Sequence, residues 1–171
     1  VKTFLFLDME FSGLDPRVHR PLEIAAIAAD QRLKQLGKYH AAFYWDEIDF
    51  SDWSERVHAS SGLMDLIADG KEAEQIDAEL CSFIRSMPGD IILAGQSVYI
   101  DREWIACYLP HFASKLNHRM LDLTSIDMVL EDLGSSIRHR ADTHRAYDDA
   151  EAALAAARHY MKTLSYNPSL L

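Results

Sequence analysis

The sequence predicts an α/β fold with a mixed central β-sheet flanked by α-helices. Three observations carry that prediction. Three strand-like segments come first, and the earliest is apolar on both faces. Helix-period segments then alternate with short apolar ones. No repeat, low-complexity block or Pro/Gly/Ser linker interrupts the order, so the 171 residues are expected to form one domain spanning 1–171.

Residues 3–9 (TFLFLDM) read as a central buried strand, followed by a turn at 12–16 (SGLDP). Residues 21–30 (PLEIAAIAAD) form a second strand candidate, although the alanines leave a helix open. Residues 38–45 (KYHAAFYW) predict a third strand, pairing with the second as a ribbon, and 46–54 an acidic, aromatic loop. Ile76, Leu80, Phe83, Ile84 and Met87 recur at helical spacing, predicting a helix over 72–87 that stops at Pro88-Gly89-Asp90. Residues 91–94 predict a short buried strand leading into Gly95-Gln96-Ser97. A helix over 101–109 ends at Pro110, a short strand covers 120–123, and a helix over 124–133 ends at Gly134. Residues 144–164 predict a long Ala-rich helix.

Lys plus Arg total 17 against 27 Asp plus Glu, a net charge of −10. That balance argues against a non-specific polyanion binder, whose footprint is basic. It leaves room for a nucleic-acid enzyme whose carboxylates hold cations. Cys81 and Cys107 have neither zinc-site spacing nor the numbers for a disulfide framework, and read as buried reduced thiols. No apolar run approaches the ~18–20 residues of a membrane span. Residues 1–7 are too short for a signal peptide, so a cytoplasmic protein is the expectation.

Asp8 and Glu10 are two apart at the end of a predicted strand, so they project from one face while Met9 faces the other layer. Paired carboxylates repel and are costly to bury unless a cation joins them. Asp101 stands at a helix entry, as a helix cap or as a further ligand. The segment 143–150 (THRAYDDA) opens the last helix with one His and two adjacent acids, ordinary as helix-start residues when taken alone. Together these acid-bearing ends fall in an order that converges on one sheet edge. Four carboxylates balance two divalent cations, and oxygen-only ligands favour Mg²⁺ or Mn²⁺. Such a pair, ~3.5–4 Å apart, stabilises both oxygens of an in-line phosphoryl displacement. A nearby His titrating close to neutrality is suited to deprotonate water.

The pattern resembles the DEDDh 3′→5′ exonucleases of the DnaQ-like, ribonuclease H-like superfamily: Asp-x-Glu, a middle Asp, then His with Asp five positions on. FLDMEFSGLDP, DWSERVHASSGL, AGQSVYIDREW, YLPHFASKLNHRMLDLTS and THRAYDDAEAA are similar, in order and spacing, to the oligoribonuclease family over nearly the whole chain. The resemblance implies Asp8, Glu10, Asp101 and Asp149 as metal ligands and His144 as general base. Asp148 competes with Asp149, and the His-plus-five spacing favours Asp149. It further implies that Leu14 wedges between two bases and that Trp53 and His58 face the bases and the substrate backbone. Ser97, Arg119 and Thr124 fall where that family caps a 5′ phosphate. The implied substrate is a dinucleotide or very short oligonucleotide, cleaved to nucleoside 5′-monophosphates by a homodimer.

The sequence departs from that family at Gln96, where Asn is common, and at His118, where a Tyr reaches across the dimer to the partner's substrate. The segment before His144 is short and basic (Arg138, His139, Arg140). Nothing reports a reader of the 2′-hydroxyl, so ribose and deoxyribose substrates both stay open. One alternative is a DEDDh exonuclease specialised for deoxydinucleotides or trimming longer single-stranded 3′ ends. Another is a non-catalytic nucleotide-binding module, which predicts decayed ligand positions, whereas all five are filled.

Overall fold

A computed structural model of the chain describes residues 1–59, 61–132 and 143–166. The first apolar run forms β1 (Lys2–Phe11), the middle strand of the sheet. Leu5, Phe6 and Leu7 are all buried, which requires cover on both faces. β2 (Pro21–Ala29) pairs antiparallel with β1 and is buried throughout, so the alanine run is a strand and not a helix. β3 (Gln35–Ala42) pairs antiparallel with β2. It starts at Gln35 and not Lys38, and it ends at Ala42, before Phe43, Tyr44 and Trp45. Phe43 leaves the ladder to bridge to Lys71, and the Trp45 indole donates to the Pro21 carbonyl at 2.7 Å.

Two short helices occupy or follow the predicted loop. α1 (Asp52–His58) is capped by Ser51, whose hydroxyl accepts from the Ser54 amide, and α2 (Leu63–Ala68) follows. Both are too short for an apolar stripe to show in the sequence. The remaining elements are α3 (Ala73–Arg85), β4 (Asp90–Gly95), α4 (Tyr99–Tyr108), α5 (Pro110–Ala113), β5 (Leu116–Asp122), α6 (Leu123–Asp132) and α7 (Ala146–Tyr166). Pro110 ends one helix as expected, and it also opens α5, where its missing N–H costs nothing. Gly134 and the basic Arg138, His139 and Arg140 lie outside the described residues.

β4 and β5 run parallel to β1, giving the order β3-β2-β1-β4-β5. Leu5, Leu7 and Met9 pack with Ile76, Leu80 and Ile84 of α3, Trp104 and Ile105 of α4, and Phe112 of α5. Phe6, Ala25 and Ile27 pack with Ala150, Ala153, Leu154 and Ala157 of α7 on the opposite face. Met9 therefore faces the α3 layer, and alternation turns Asp8 and Glu10 toward α7. The five-stranded mixed sheet with helices on both faces is the ribonuclease H-like α/β arrangement. The thiols differ from expectation: Cys81 is half-buried, and Cys107 is exposed beside the equally exposed Ala106 on the outer side of α4. No helix among the described residues is long and apolar enough to cross a membrane.

Candidate active site

The sheet register breaks between Glu10 and Phe11, a bulge of the kind that re-aims side chains at sheet ends. Just before it, carboxylate oxygens of Asp8 and Glu10 meet one from Asp149, all within 4.8 Å of one another. Asp149 lies in the first turn of α7, where the helix dipole favours an anion. Its amide donates to the Arg145 carbonyl at 3.1 Å, the start of the helical ladder.

Asp101 comes to this end of the sheet from the other layer. It is buried and takes the Met9 amide and its own as donors. The cap position of α4 is Val98, with no side-chain cap, so Asp101 is not an N-cap. It stands outside the close group of three. Burial, then the charges of Asp101, Glu10, Asp149 and Glu23, hold the Asp8 carboxyl well above the usual range. Burial, then Asp149 and Glu23, pushes Glu10 up to about 8. Burial does the same to Asp101. An all-oxygen donor set with this much uncompensated charge fits a divalent cation.

A fifth acid was not singled out from the sequence. Glu23 on β2 stands opposite Glu10 on β1 and is fully buried. Like charges directly opposite one another are destabilising, and here the Arg145 guanidinium offsets them. Arg145 donates to Glu23 through Nε at 3.1 and 3.2 Å and Nη2 at 2.7 Å. His40 Nε2 lies 2.6 Å from the same carboxylate, and the Ala146 amide donates at 3.0 Å. Despite its burial, the hydrogen bonds from His40 and Arg145 lower Glu23 to about 2.

His144 does not open the last helix, which begins at Ala146. Its φ of 49° is left-handed and incompatible with a helical turn. Its ring meets the exposed Trp53 ring edge to face, centroids 6.2 Å apart. Leu14 is 82% exposed on the β1–β2 loop. That loop is held tightly, because the His19 ring leaves no room for a Cβ on Gly13. His58 is only 1% exposed. Its Nε2 lies 3.3 Å from the Phe11 carbonyl and 3.7 Å from Glu10, so it sits behind the acid cluster with almost no surface to offer a substrate. Burial holds its imidazole below the usual range.

Residues 5–157 match the family model described as exonuclease (RNase T). The chain belongs to this exonuclease family. Two oligoribonucleases are similar to it over nearly their whole length. That of Francisella tularensis subsp. novicida is 30% identical over 172 residues, covering 94% of each chain. That of Dichelobacter nodosus is 27% identical over 173 residues, covering 96% of each. Among solved structures, exonuclease I superposes with a TM-score of 0.74 at 19% identity. E. coli exonuclease I with a dT13 oligonucleotide gives 0.72 at 18%. These share the fold, and this chain spans 41% and 43% of them. The chain is thus a DEDDh-type 3′→5′ exonuclease domain with an acidic candidate metal site.

In this exonuclease the remaining predicted substrate residues divide into two groups. Ser97 and Thr124 meet, their hydroxyls 3.1 Å apart, with Ser97 at a left-handed φ of 50°. Asp122 intervenes, accepting from the Ser97 amide at 3.2 Å and the Thr124 amide at 2.9 Å. The Ser97 amide also donates to the Thr124 hydroxyl. Arg119 and His118 are exposed on β5, an outer strand of the sheet. Gln96 is half-buried where β4 ends.

Proposed function

We propose that this exonuclease removes nucleoside 5′-monophosphates one at a time from single-stranded 3′ ends. The observation that carries the reading is the convergence of Asp8, Glu10 and Asp149 within 4.8 Å, at the end of α7 that also presents His144 against Trp53. Asp8, Glu10, Asp101 and Asp149 would hold two cations, Mg²⁺ or Mn²⁺. Such cations would neutralise the acids and stabilise the oxygen of the attacking water and the leaving oxygen of the phosphodiester.

The chain's own groups do the rest. His144, exposed five residues before Asp149, takes the proton of the attacking water. Trp53 and Leu14 contact the terminal bases by stacking and wedging, which tolerates any base. His58 supports Glu10 from behind. With a net charge of −10, little outside the site grips a polyanion, so the enzyme is expected to let go after each cut.

The alternative restricts the substrate to dinucleotide scale, as in the oligoribonucleases whose names the sequence relatives carry. The Ser97–Thr124 pair favours it, with Arg119 as the anion clamp and a homodimer in which His118 reaches the partner's substrate. Against a closed phosphate cap, the Asp122 carboxylate already occupies the amides of Ser97 and Thr124 and would repel a 5′ phosphate. The test ranks kcat/KM for 5′-phosphorylated ribo- and deoxy-oligonucleotides of about two to seven residues in Mn²⁺. A profile rising or level with length supports end trimming. A sharp maximum at two, abolished by Arg119→Ala, would support the dinucleotide reading instead.

A further inference from the structure

Arg145 ties together three parts of the fold that meet at the site. Its guanidinium grips Glu23 on β2 through Nε and Nη2, and its Nη1 donates to the Ser61 carbonyl after α1 at 3.3 Å. Its own carbonyl accepts the Asp149 amide. The residue just before it is His144, in a left-handed conformation that the surrounding structure must impose. Glu23 completes the entry to α7 by taking the Ala146 amide, so one buried carboxylate holds both the side chain and the backbone of that entry. Arg145 and Glu23 also cancel each other's charge beside four acids.

We propose that Glu23 and Arg145 are positioning residues of the reaction. Their pair fixes the α7 entry so that His144 and Asp149 address the same point as Asp8 and Glu10. The inference rests on the reading of His144 and Asp149 given above. Neither residue touches substrate. A planar fork on a carboxylate sets orientation as well as distance, which a single point charge would not. Removing Arg145 leaves the fully buried Glu23 carboxylate with only His40 and the Ala146 amide, next to the acid cluster.

A comparator separates positioning from plain stability. Asp77 is another buried carboxylate, accepting from the amides of His111 and Phe112 at 3.1 and 2.7 Å, and it belongs to the α3–α5 layer away from the acids. The experiment measures kcat, KM and melting temperature for Glu23→Gln, Arg145→Met, Arg145→Lys, the Glu23→Gln/Arg145→Met double variant and Asp77→Asn. Rates are taken per folded molecule at saturating Mn²⁺ with a short single-stranded oligonucleotide. Expected for Arg145→Met and Glu23→Gln is a kcat loss of about 30-fold or more with KM within about threefold, because orientation and not binding is lost. Arg145→Lys regains part of that loss. The double variant falls no further than the worse single one, as for residues acting as a unit. Asp77→Asn lowers the melting temperature and keeps kcat within about twofold.

An active wild type whose Glu23→Gln and Arg145→Met variants keep kcat within about threefold overturns the inference alone. Should one variant not fold, the other and Arg145→Lys decide. A wild type without turnover would overturn the reading of the site, and this inference with it.

Discussion

The rings of Trp53 and His144 stand perpendicular, at 89° with centroids 6.2 Å apart, joining α1 to the entry of α7. Trp53 nevertheless stays 56% exposed, so its face remains open to a base. Stacking of a base on such a ring is worth ~1–3 kcal/mol. Trp53→Ala should therefore lower kcat/KM about 5- to 150-fold by steady-state kinetics, equally for purines and pyrimidines. A loss confined to one base would show hydrogen-bond readout in place of stacking.

Asp149→Asn should abolish turnover, since one ligand of the close acid group is lost, and should raise the melting temperature of metal-free protein, since repulsion on Asp8 and Glu10 is relieved. Thermal melts in EDTA and turnover in Mn²⁺ test the two halves. Activity above about a tenth of wild type would contradict the assignment.

The acid cluster also sets a pH dependence. Glu10 rises from 4.5 to about 8 on folding, so the folded chain keeps a proton that the unfolded chain has released across that window. Metal-free stability should fall as pH rises from about 4.5 through 8. Bound cation removes this cost, so the gain in melting temperature on adding Mn²⁺ should grow over the same range. A gain that is flat or shrinking with pH would argue that these carboxylates do not hold the ion.

The β1–β2 loop gives a separate test. Gly13→Ala must displace the His19 ring, whose Nδ1 lies 3.3 Å from the Asp15 amide, and so shifts the Leu14 tip. The expected result is a raised KM with kcat nearly unchanged; an unaltered KM would remove Leu14 from the substrate contacts.

Asp8, Glu10 and their orientation were legible because a strand alternates faces and the flanking residues are apolar. Met9 packing with Leu5 and Leu7 follows from the same rule. The Glu23–Arg145 pair was not legible. Glu23 sits in an alanine-rich strand and meets its cation across 122 positions of chain, and no local period encodes that contact. His144 has a left-handed backbone that no local pattern announces, and α7 begins at Ala146, two residues later than the sequence predicts. β3 was misplaced because it is an outer strand with one solvated face, while the aromatic residues after it pack elsewhere. His58 looked available to substrate because nothing in its own heptapeptide helix signals burial behind Glu10.

The most direct measurement follows a 5′-labelled single-stranded heptanucleotide incubated with the purified chain and Mn²⁺. The expected result is a ladder shortening by single nucleotides from the 3′ end, with nucleoside 5′-monophosphates released, stopped by EDTA and by Asp8→Asn. Shortening from the 5′ end or undiminished cleavage in EDTA would contradict a metal-dependent 3′→5′ exonuclease built on Asp8, Glu10 and Asp149, and an intact strand would contradict the trimming of single-stranded 3′ ends.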